Sequence, residues 1–405
     1  MTGLPAIRRI DLTLGGGVDL DDVVGRDDVI ANWWKALETR SLRVTEPRRF
    51  GKSTTLKLMA SRPPAGWICL YNTVQDASTV ERLIELTLGM IQEHTSFSHK
   101  VRQKIRSFGQ AVGPKVEVQK WGATFELAAD FRKTPFHAFE AALADVHAEL
   151  EKKDQRLVIV WDEFTDCLKK IRDSDPVAGP HQAAETLSLF RALRERVCGR
   201  RIRWILSGSV GLHHVLRSLP NAGSVNDVDT VALGPLEPEP AKWLARCLLL
   251  GQGRYDEPRL AALLTKASSG IPFVLEHMVA QISASGVAPA TEEEAQRTLT
   301  LAADAMDAGE AMVPLLERIR TYYSDDDWKA ALIILDELAA KPRKLSGLVE
   351  RMATKLGREV DEEWVRSITE RLVEDRYLMF DRPALRYTWL YGAFRGIWHA
   401  KRRLE

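Results

Sequence analysis

The sequence predicts an α/β fold, a parallel sheet covered by helices, followed by an all-helical region and a C-terminal helix-turn-helix with a wing. Three observations predict it. Short apolar runs alternate with amphipathic stretches of helical period through the first half of the 405 residues, the pattern of parallel strands joined by crossover helices. The segments richest in chemistry directly follow those apolar runs, at the carboxyl edge where such sheets bind ligands. After Leu233-Gly-Pro-Leu236 the strand signal stops and helical periodicity continues alone.

Taken in order, a helix is expected from about Asp27, with Val29, Ile30, Trp33, Trp34 and Leu37 on one face. Leu42-Arg-Val-Thr45 reads as the first strand and Ser53 to Ala60 as the helix after it. Trp67-Ile-Cys-Leu-Tyr71 is the second strand and Val80–Glu93 the second long helix. Residues 95–135 carry basic Lys100-Val-Arg-Gln-Lys-Ile-Arg106, a break at Gly113-Pro114 and an alternating Lys115-Val-Glu-Val-Gln119, and read as an insertion over the ligand face. An amphipathic helix over Pro135–Lys153 leads into a strand at Leu157–Trp161. A further helix at Gln182–Val197 precedes a strand at Ile202–Leu206. From Asp327, helices near Trp328–Ala340, Leu345–Leu356 and Glu362–Glu374 precede two short strands around Asp381-Arg-Pro-Ala384. The expected domains are a core over 1–236, a helical domain over 237–320 and a winged-helix domain over 321–405.

Bulk properties narrow the classes. Hydrophobic residues make up 45% and charged ones 28%, ordinary for a globular protein. With 57 basic against 56 acidic residues the net charge is +1, so contact with nucleic acid has to come from a local patch. The four cysteines (Cys69, Cys167, Cys198, Cys247) are far apart, which fits a reducing compartment and offers no metal site. No apolar run approaches the ~20 residues that cross a bilayer, so a cytoplasmic protein without a membrane role is expected.

The chemistry centres on Glu46-Pro-Arg-Arg-Phe-Gly-Lys-Ser-Thr54. Between a strand and a helix, such a stretch is a phosphate-binding loop: backbone N–H groups and the helix N-terminus face the phosphates, a lysine reaches the β/γ oxygens, and a Ser/Thr hydroxyl holds magnesium. Gly51, Lys52 and Ser53 end the motif G-x-x-x-x-G-K-[ST], but Glu46 stands where it opens with glycine. That glutamate adds a Cβ and a charge beside an anion site, repulsive unless Arg48 or Arg49 neutralises it. Either the site tolerates it or affinity falls. Leu157-Val-Ile-Val-Trp-Asp-Glu163 supplies the acidic partner: Asp162 for magnesium and Glu163 to orient the attacking water. The same two carboxylates could instead cap the next helix.

Ser207 and Ser209 are candidates to sense the γ-phosphate, and small residues there serve tight packing equally well. Arg191, Arg194, Arg196 and Arg217 are candidate charge-stabilising fingers. The stretch from Lys341 holds 15 Lys/Arg against 10 Asp/Glu, a local excess of five. There Trp364, Arg366, Ser367 and Arg371 could form a recognition helix, with Arg382 and Arg386 at the wing, on duplex DNA or in a protein contact.

These motifs together resemble the archaeal-type ATPases of the STAND branch of AAA-like P-loop NTPases. Glu46–Thr54 resembles their G-P-R-R-x-G-K-[ST] loop, Val160-Trp-Asp-Glu-Phe164 their acidic strand, and Leu206-Ser-Gly-Ser-Val210 their sensor strand. Val23-Val-Gly-Arg-Asp27 is similar to the element that touches adenine, and Ser269-Gly-Ile-Pro272 to the G-x-P element of the helical lid. The resemblance implies ATP and Mg2+ as cofactors. It places Val24 and Arg26 near adenine, Pro47, Arg48, Arg49, Phe50, Gly51, Lys52, Ser53 and Thr54 in the loop, and Pro272 in the lid. It further implies an ATP-hydrolysing switch that works through a protein partner, in defence or signalling, and a nucleotide-dependent oligomer, with hydrolysis expected to be slow because of Glu46. Origin-recognition or transposition-helper ATPases that bind duplex DNA are the other expectation. Glu46 is the departure from the pattern.

Overall fold

The computed structural model describes residues 4–112, 133–208, 211–220, 227–308 and 319–404. The chain forms two compact units, one of Val29–Thr45 and Ser53–Ala232, the other of Met1–Asp28, Glu46–Lys52 and Leu233–Glu405.

The first unit holds a sheet of five parallel strands. These are β1 (Ser41–Thr45), β2 (Trp67–Thr73), β3 (Arg156–Asp162), β4 (Ile202–Gly208) and β5 (Val228–Val231), in the order β2-β3-β4-β1-β5. Four of the five follow the expected apolar runs. The last, β5, has only four residues, two of them polar, and gave no signal. Every residue of β4 is buried, as is all of β3 after Arg156, which is why these strands read as continuous apolar runs rather than alternations. From β1 the chain crosses to the far edge at β2, so the strand order reverses beside β1, where open α/β sheets take their ligands.

Helices pack this sheet: α1 (Asp27–Leu37), α2 (Lys52–Ser61), α3 (Val80–Glu93), α4 (His99–Val112), α5 (Lys133–Lys152), α6 (Phe164–Asp173), α7 (Ala178–Leu193) and α8 (Leu212–Arg217). In α3, Thr79 caps the N-terminus by accepting from Arg82 N, and Leu83, Ile84, Leu88 and Ile91 form the buried stripe. The basic run from Lys100 lies in α4, which buries Val101 and Ile105 and packs against α3 and α5. The Lys115–Gln119 strand expected within the insertion lies outside the described residues.

Aromatic rings fill the centre. Trp161 meets Phe190 at 4.5 Å, Trp204 at 4.6 Å and Phe164 at 5.5 Å between ring centroids. Its indole N–H reaches Thr87 Oγ1 at 3.0 Å, so one of the largest core side chains leaves no donor orphaned.

In the second unit the chain is helical from Leu233 on: α9 (Pro238–Gly251), α10 (Pro258–Ala267), α11 (Pro272–Ser285) and α12 (Glu292–Ala308). Proline opens three of them near the first helical position, where its missing N–H costs nothing. The N-terminal segment is strapped onto these helices. Trp243 donates to Pro5 O at 2.6 Å, Ile10 N to Cys247 O at 3.2 Å, and Leu14 N to the Glu276 carboxylate at 2.7 Å.

The C-terminal part follows the expected order: α13 (Asp325–Ala340), α14 (Leu345–Leu356), α15 (Glu362–Glu374), then an antiparallel hairpin of β6 (Leu378–Asp381) and β7 (Arg386–Trp389). A last helix, α16 (Gly392–Lys401), had not been foreseen. Ser324 and Asp361 cap α13 and α15. Among the described residues, no helix is long and apolar enough to cross a membrane.

Gly208, at the end of β4, is demanded by packing. A Cβ there would lie 2.0 Å from Thr165 Oγ1 and 2.9 Å from Thr165 Cβ on α6. Gly208→Ala should therefore destabilise the protein by about 1–3 kcal/mol, the usual cost of overpacking, read as a lower urea midpoint at unchanged m-value.

Candidate functional site

At the carboxyl edge of the sheet, Asp162 ends β3 and is 1% exposed. Its Oδ2 accepts a 2.7 Å hydrogen bond from the Tyr71 hydroxyl on β2, and its Oδ1 accepts from Glu163 N at 3.1 Å. The Ser53 side chain, in the first turn of α2, lies close enough to the same phenol to act on its pKa in the lowering direction. Burial first, and the Asp162 charge next, push the Tyr71 phenol well above its ordinary range, so it remains a protonated donor to the carboxylate. Ser53 and Asp162 are thus gathered around one hydroxyl. Both offer hard oxygen ligands, the donor chemistry that magnesium takes, and the residues present fit that ion.

Glu163 has φ 56° and ψ 34°, the left-handed region, and makes no side-chain cap to α6. The capping alternative raised by the sequence is therefore not used. A non-glycine residue held there stores strain on the order of 1 kcal/mol, a cost that concentrates at functional positions. Ser207, one residue before the end of β4, pairs in register with Val44 of β1. Its hydroxyl is buried and has no hydrogen-bond partner among the described residues, an orphan polar atom at the carboxyl edge of the sheet. Ser209 lies outside the described residues. Among the finger candidates, Arg194 is held by Asp227 through two bonds of 2.6 and 2.7 Å, and Arg191 bonds Glu195 at 2.9 Å.

The loop Glu46–Lys52 belongs to the other unit. Arg49 has φ 72° and Gly51 φ 84°, a backbone that swings into the left-handed region twice within three residues, as the N–H nests that hold anions do. Lys52 is buried and turns back across the loop, donating to Glu46 O at 2.8 Å and Pro47 O at 3.0 Å. The loop is thereby closed on itself.

Each side of this loop has a partner within its unit. Arg26 is 3% exposed, donates to Phe50 O at 3.0 Å and Gly234 O at 3.1 Å, and also meets Leu233 O and Pro235 O. Burial lowers its pKa to about 10, with the Glu46 charge acting the other way. Val24, two residues earlier, is buried. Arg49 donates to Gly15 O at 2.9 Å and lies 5.2 Å from the Phe273 ring centre. Phe50 is fully buried, 5.2 Å from Tyr391 and 5.9 Å from Phe394. Pro272 opens α11 two residues after Gly270, whose carbonyl accepts from Leu236 N at 2.9 Å. Val24, Arg26, Pro47, Arg48, Arg49, Phe50, Gly51, Lys52 and Pro272 thus fall in one unit, and Ser53, Thr54, Asp162, Glu163 and Ser207 in the other.

Glu46 is 0% exposed. Its Oε1 accepts from Arg376 Nη2 at 2.6 Å and from Leu233 N and Gly234 N, both at 3.3 Å. The sequence pointed to Arg48 or Arg49 as the neutralising charge because they are close along the chain. Arg49 spends itself on Gly15 and Phe273, and Arg376, 330 positions away, takes the role. Nothing in a single sequence pairs residues so far apart. The Tyr71 contact was equally hidden, since Tyr71 reads as one more strand residue. The usable signal was its place near the carboxyl end of a strand next to Asp162.

The DNA-contact candidates are mostly occupied. Arg366 pairs with Glu362 at 2.7 Å and Glu363 at 2.8 Å, Arg371 with Asp327 at 2.9 Å, and Arg386 with Asp381 at 3.3 Å. Trp364 is tied by its indole N–H to Asp327 at 2.8 Å, and Arg382 is exposed.

With this geometry described, known structures can be set beside it. A Walker-type ATPase of Pyrococcus abyssi aligns over 94% of this chain and 97% of its own, at 19% identity and a TM-score of 0.59. The shared feature is the Walker-type ATPase fold. The ORC2 protein of Aeropyrum pernix in its ADP form (94% of each chain, 14% identity, TM-score 0.45) and Cdc6p of Pyrobaculum aerophilum (99% and 100%, 12%, 0.39) are less similar. No protein-family description and no curated protein matches the chain by sequence.

Tyr71 is the contact on which the Asp162 geometry depends. Tyr71→Phe removes the donor to a buried carboxylate oxygen and should cost about 1–3 kcal/mol. The check is urea unfolding compared with Tyr71→Phe/Asp162→Asn, in which the stranded charge is gone and part of the loss should return.

Proposed function

We propose that this protein is an ATP-binding switch of the STAND/AAA-like class that hydrolyses ATP slowly and acts through a protein partner. The observation that carries the reading is that Asp162, from the acidic strand, is hydrogen-bonded by the Tyr71 hydroxyl, with Ser53, from the lysine–serine end of a phosphate-binding loop, close to the same phenol. Two motifs recognised separately in the sequence supply one set of magnesium-type ligands.

The roles follow from the chemistry. The N–H groups of Arg48-to-Thr54 that remain available and the start of α2 would hold the phosphates, with Lys52 on the β/γ oxygens. Magnesium, held by Ser53 and Asp162, would neutralise charge on the transferred phosphoryl group. Glu163 would orient the attacking water and accept its proton. Ser207 would read the γ-phosphate with its unspent hydroxyl. Val24 and Arg26 belong to the adenine side, where Arg26 acts by fixing the Phe50 and Gly234 carbonyls. Pro272 begins the lid helix. In domain terms the reading is a core over 1–236 with an insertion at 95–135, a lid over 237–320 and a winged helix over 321–405. A nucleotide-dependent oligomer is part of it.

The ion pairs of Arg366, Arg371 and Arg386 support a switch over a DNA-binding ATPase, since each guanidinium already faces a carboxylate. Contact with duplex DNA would have to exchange those bonds for phosphates.

In the full chain, Lys52→Ala should abolish ATP binding in equilibrium dialysis, whereas Glu163→Gln should bind ATP and lose turnover by at least tenfold. Equal phosphate release from wild type and both variants would reject the reading. Salt-sensitive binding of duplex DNA, weakened by Arg382→Ala, would move the assignment to the DNA-handling class.

A further inference from the structure

The one letter that departs from the phosphate-loop pattern is also a fully buried acid. Glu46 has no solvent to stabilise its charge, and its nearest cation comes from the turn between α15 and β6. That turn has its own anomaly. The Tyr377 N–H bonds Leu372 O and the Arg376 N–H bonds Val373 O, the two bonds of a helix end closed by a left-handed residue. Glycine is the usual choice at such a position, and α14 ends with Gly357 at φ 64°. Here α15 ends with Arg376 at φ 63°. An arginine in glycine's place carries backbone strain, and its guanidinium is what reaches Glu46.

The pair is not built for maximum stability. A guanidinium and a carboxylate can form two parallel bonds, yet only Nη2 and Oε1 meet, while Arg376 Nε and Glu46 Oε2 are both buried without partners among the described residues. A buried pair left half satisfied adds little to stability, whereas removing one partner strands a charge. The surroundings sense the same charge: burial, and then Glu46, push the Tyr391 phenol up to about 12, and the Tyr391 ring packs on Phe50 of the loop.

We infer that Arg376 licenses phosphate binding by a loop whose first residue is acidic, linking nucleotide binding to the seating of the C-terminal segment on that loop. With Arg376 in place, the loop presents backbone N–H groups and a lysine to an anion. With Arg376 withdrawn, the carboxylate at the head of the loop keeps only the Leu233 and Gly234 N–H groups and the more distant Arg26 charge, and repels phosphate. By linkage, bound nucleotide must favour the seated arginine by the same factor. This rests on the ATP-binding reading above and gives its switch a physical connection. Arg376 is a positioning residue, acting through Glu46 and not on the nucleotide.

The test is a double-mutant cycle on the full chain, with Mg-ATP as the probe in isothermal titration. Arg376→Met should weaken binding at least tenfold. Glu46→Gln/Arg376→Met, which removes the stranded charge, should return to within about threefold of wild type, and Arg376→Lys should lie near wild type. Amide exchange over Leu378–Trp389 should slow on adding Mg-ATP to wild type but not to the double variant. Unaltered affinity in Arg376→Met, or equal weakening in the single and double variants, overturns the inference. If Arg376→Met does not fold, Arg376→Gln against Glu46→Gln/Arg376→Gln decides on the same criterion. If wild type itself binds no Mg-ATP, the ATP-binding reading fails separately. Exchange at the Leu233 and Gly234 amides then decides the contact alone: faster in Arg376→Met supports it, and unchanged exchange overturns it.

Discussion

A carboxylate removed entirely from water costs several kcal/mol unless its charge is met, and the phosphate loop of this protein begins with one. Much of the second unit can be understood from how Glu46 is accommodated. Its Oε1 takes two backbone N–H groups from Leu233 and Gly234 and the guanidinium of Arg376. The carbonyls around Leu233 and Gly234 in turn receive Arg26, which also fixes Phe50 O. Phe50 places its ring on Tyr391 and Phe394. A loop that could have been a mobile surface feature is thus anchored to the N-terminal strap, to the segment before α9, to α11 and to the turn before β6. This explains why Glu46–Lys52 clusters with the helical unit, although the loop directly follows β1 along the chain.

The sheet unit solves a different problem, which is to hold acids at a strand end without letting the edge collapse. Trp161, Trp204 and Phe190 lock the strands beneath Asp162 with ring contacts of 4.5 to 6.1 Å, and Gly208 lets α6 approach within reach of β4. On that rigid base Asp162 is oriented by Tyr71, and Glu163 sits in a strained backbone conformation. Strain of this kind persists only where surrounding packing over-determines it, and the aromatic layer supplies that packing.

How much of this was legible in the sequence depends on the range of the interaction. The strands β3 and β4 were readable because they are buried on both faces, β1 and β2 because each keeps a short apolar stretch beside the chemistry it precedes, and α14 and α15 because their apolar stripes and caps are local. The loop, Asp162-Glu163 and Pro272 were readable because their chemistry is carried by consecutive residues. β5 was not, being four residues long and completed only by pairing with β1. Neither were Tyr71 on Asp162 or Arg376 on Glu46, because cross-strand and long-range contacts leave no local period. The neutralising arginine was sought among neighbours along the chain, where Arg48 and Arg49 stood ready, and backbone geometry sent Arg49 to Gly15 instead.

The substituted letter therefore changes meaning once its surroundings are known. Glycine at the head of a phosphate loop relieves crowding and carries no information to the rest of the molecule. Glutamate carries a charge, and a buried charge makes the loop depend on whichever group neutralises it. Here that group lies on the left-handed turn joining a helix to a hairpin, in a position where glycine would hold the backbone with less strain. Two unfavourable choices, an acid for a glycine in the loop and an arginine for a glycine at a helix end, are each costly alone and meet in one 2.6 Å bond. Two local rules broken at both ends of a single contact indicate that the contact itself is what the sequence maintains. In the switch reading proposed above, such a contact would sense charge at the phosphates and, with one bond made where two could form, would be weak enough to exchange.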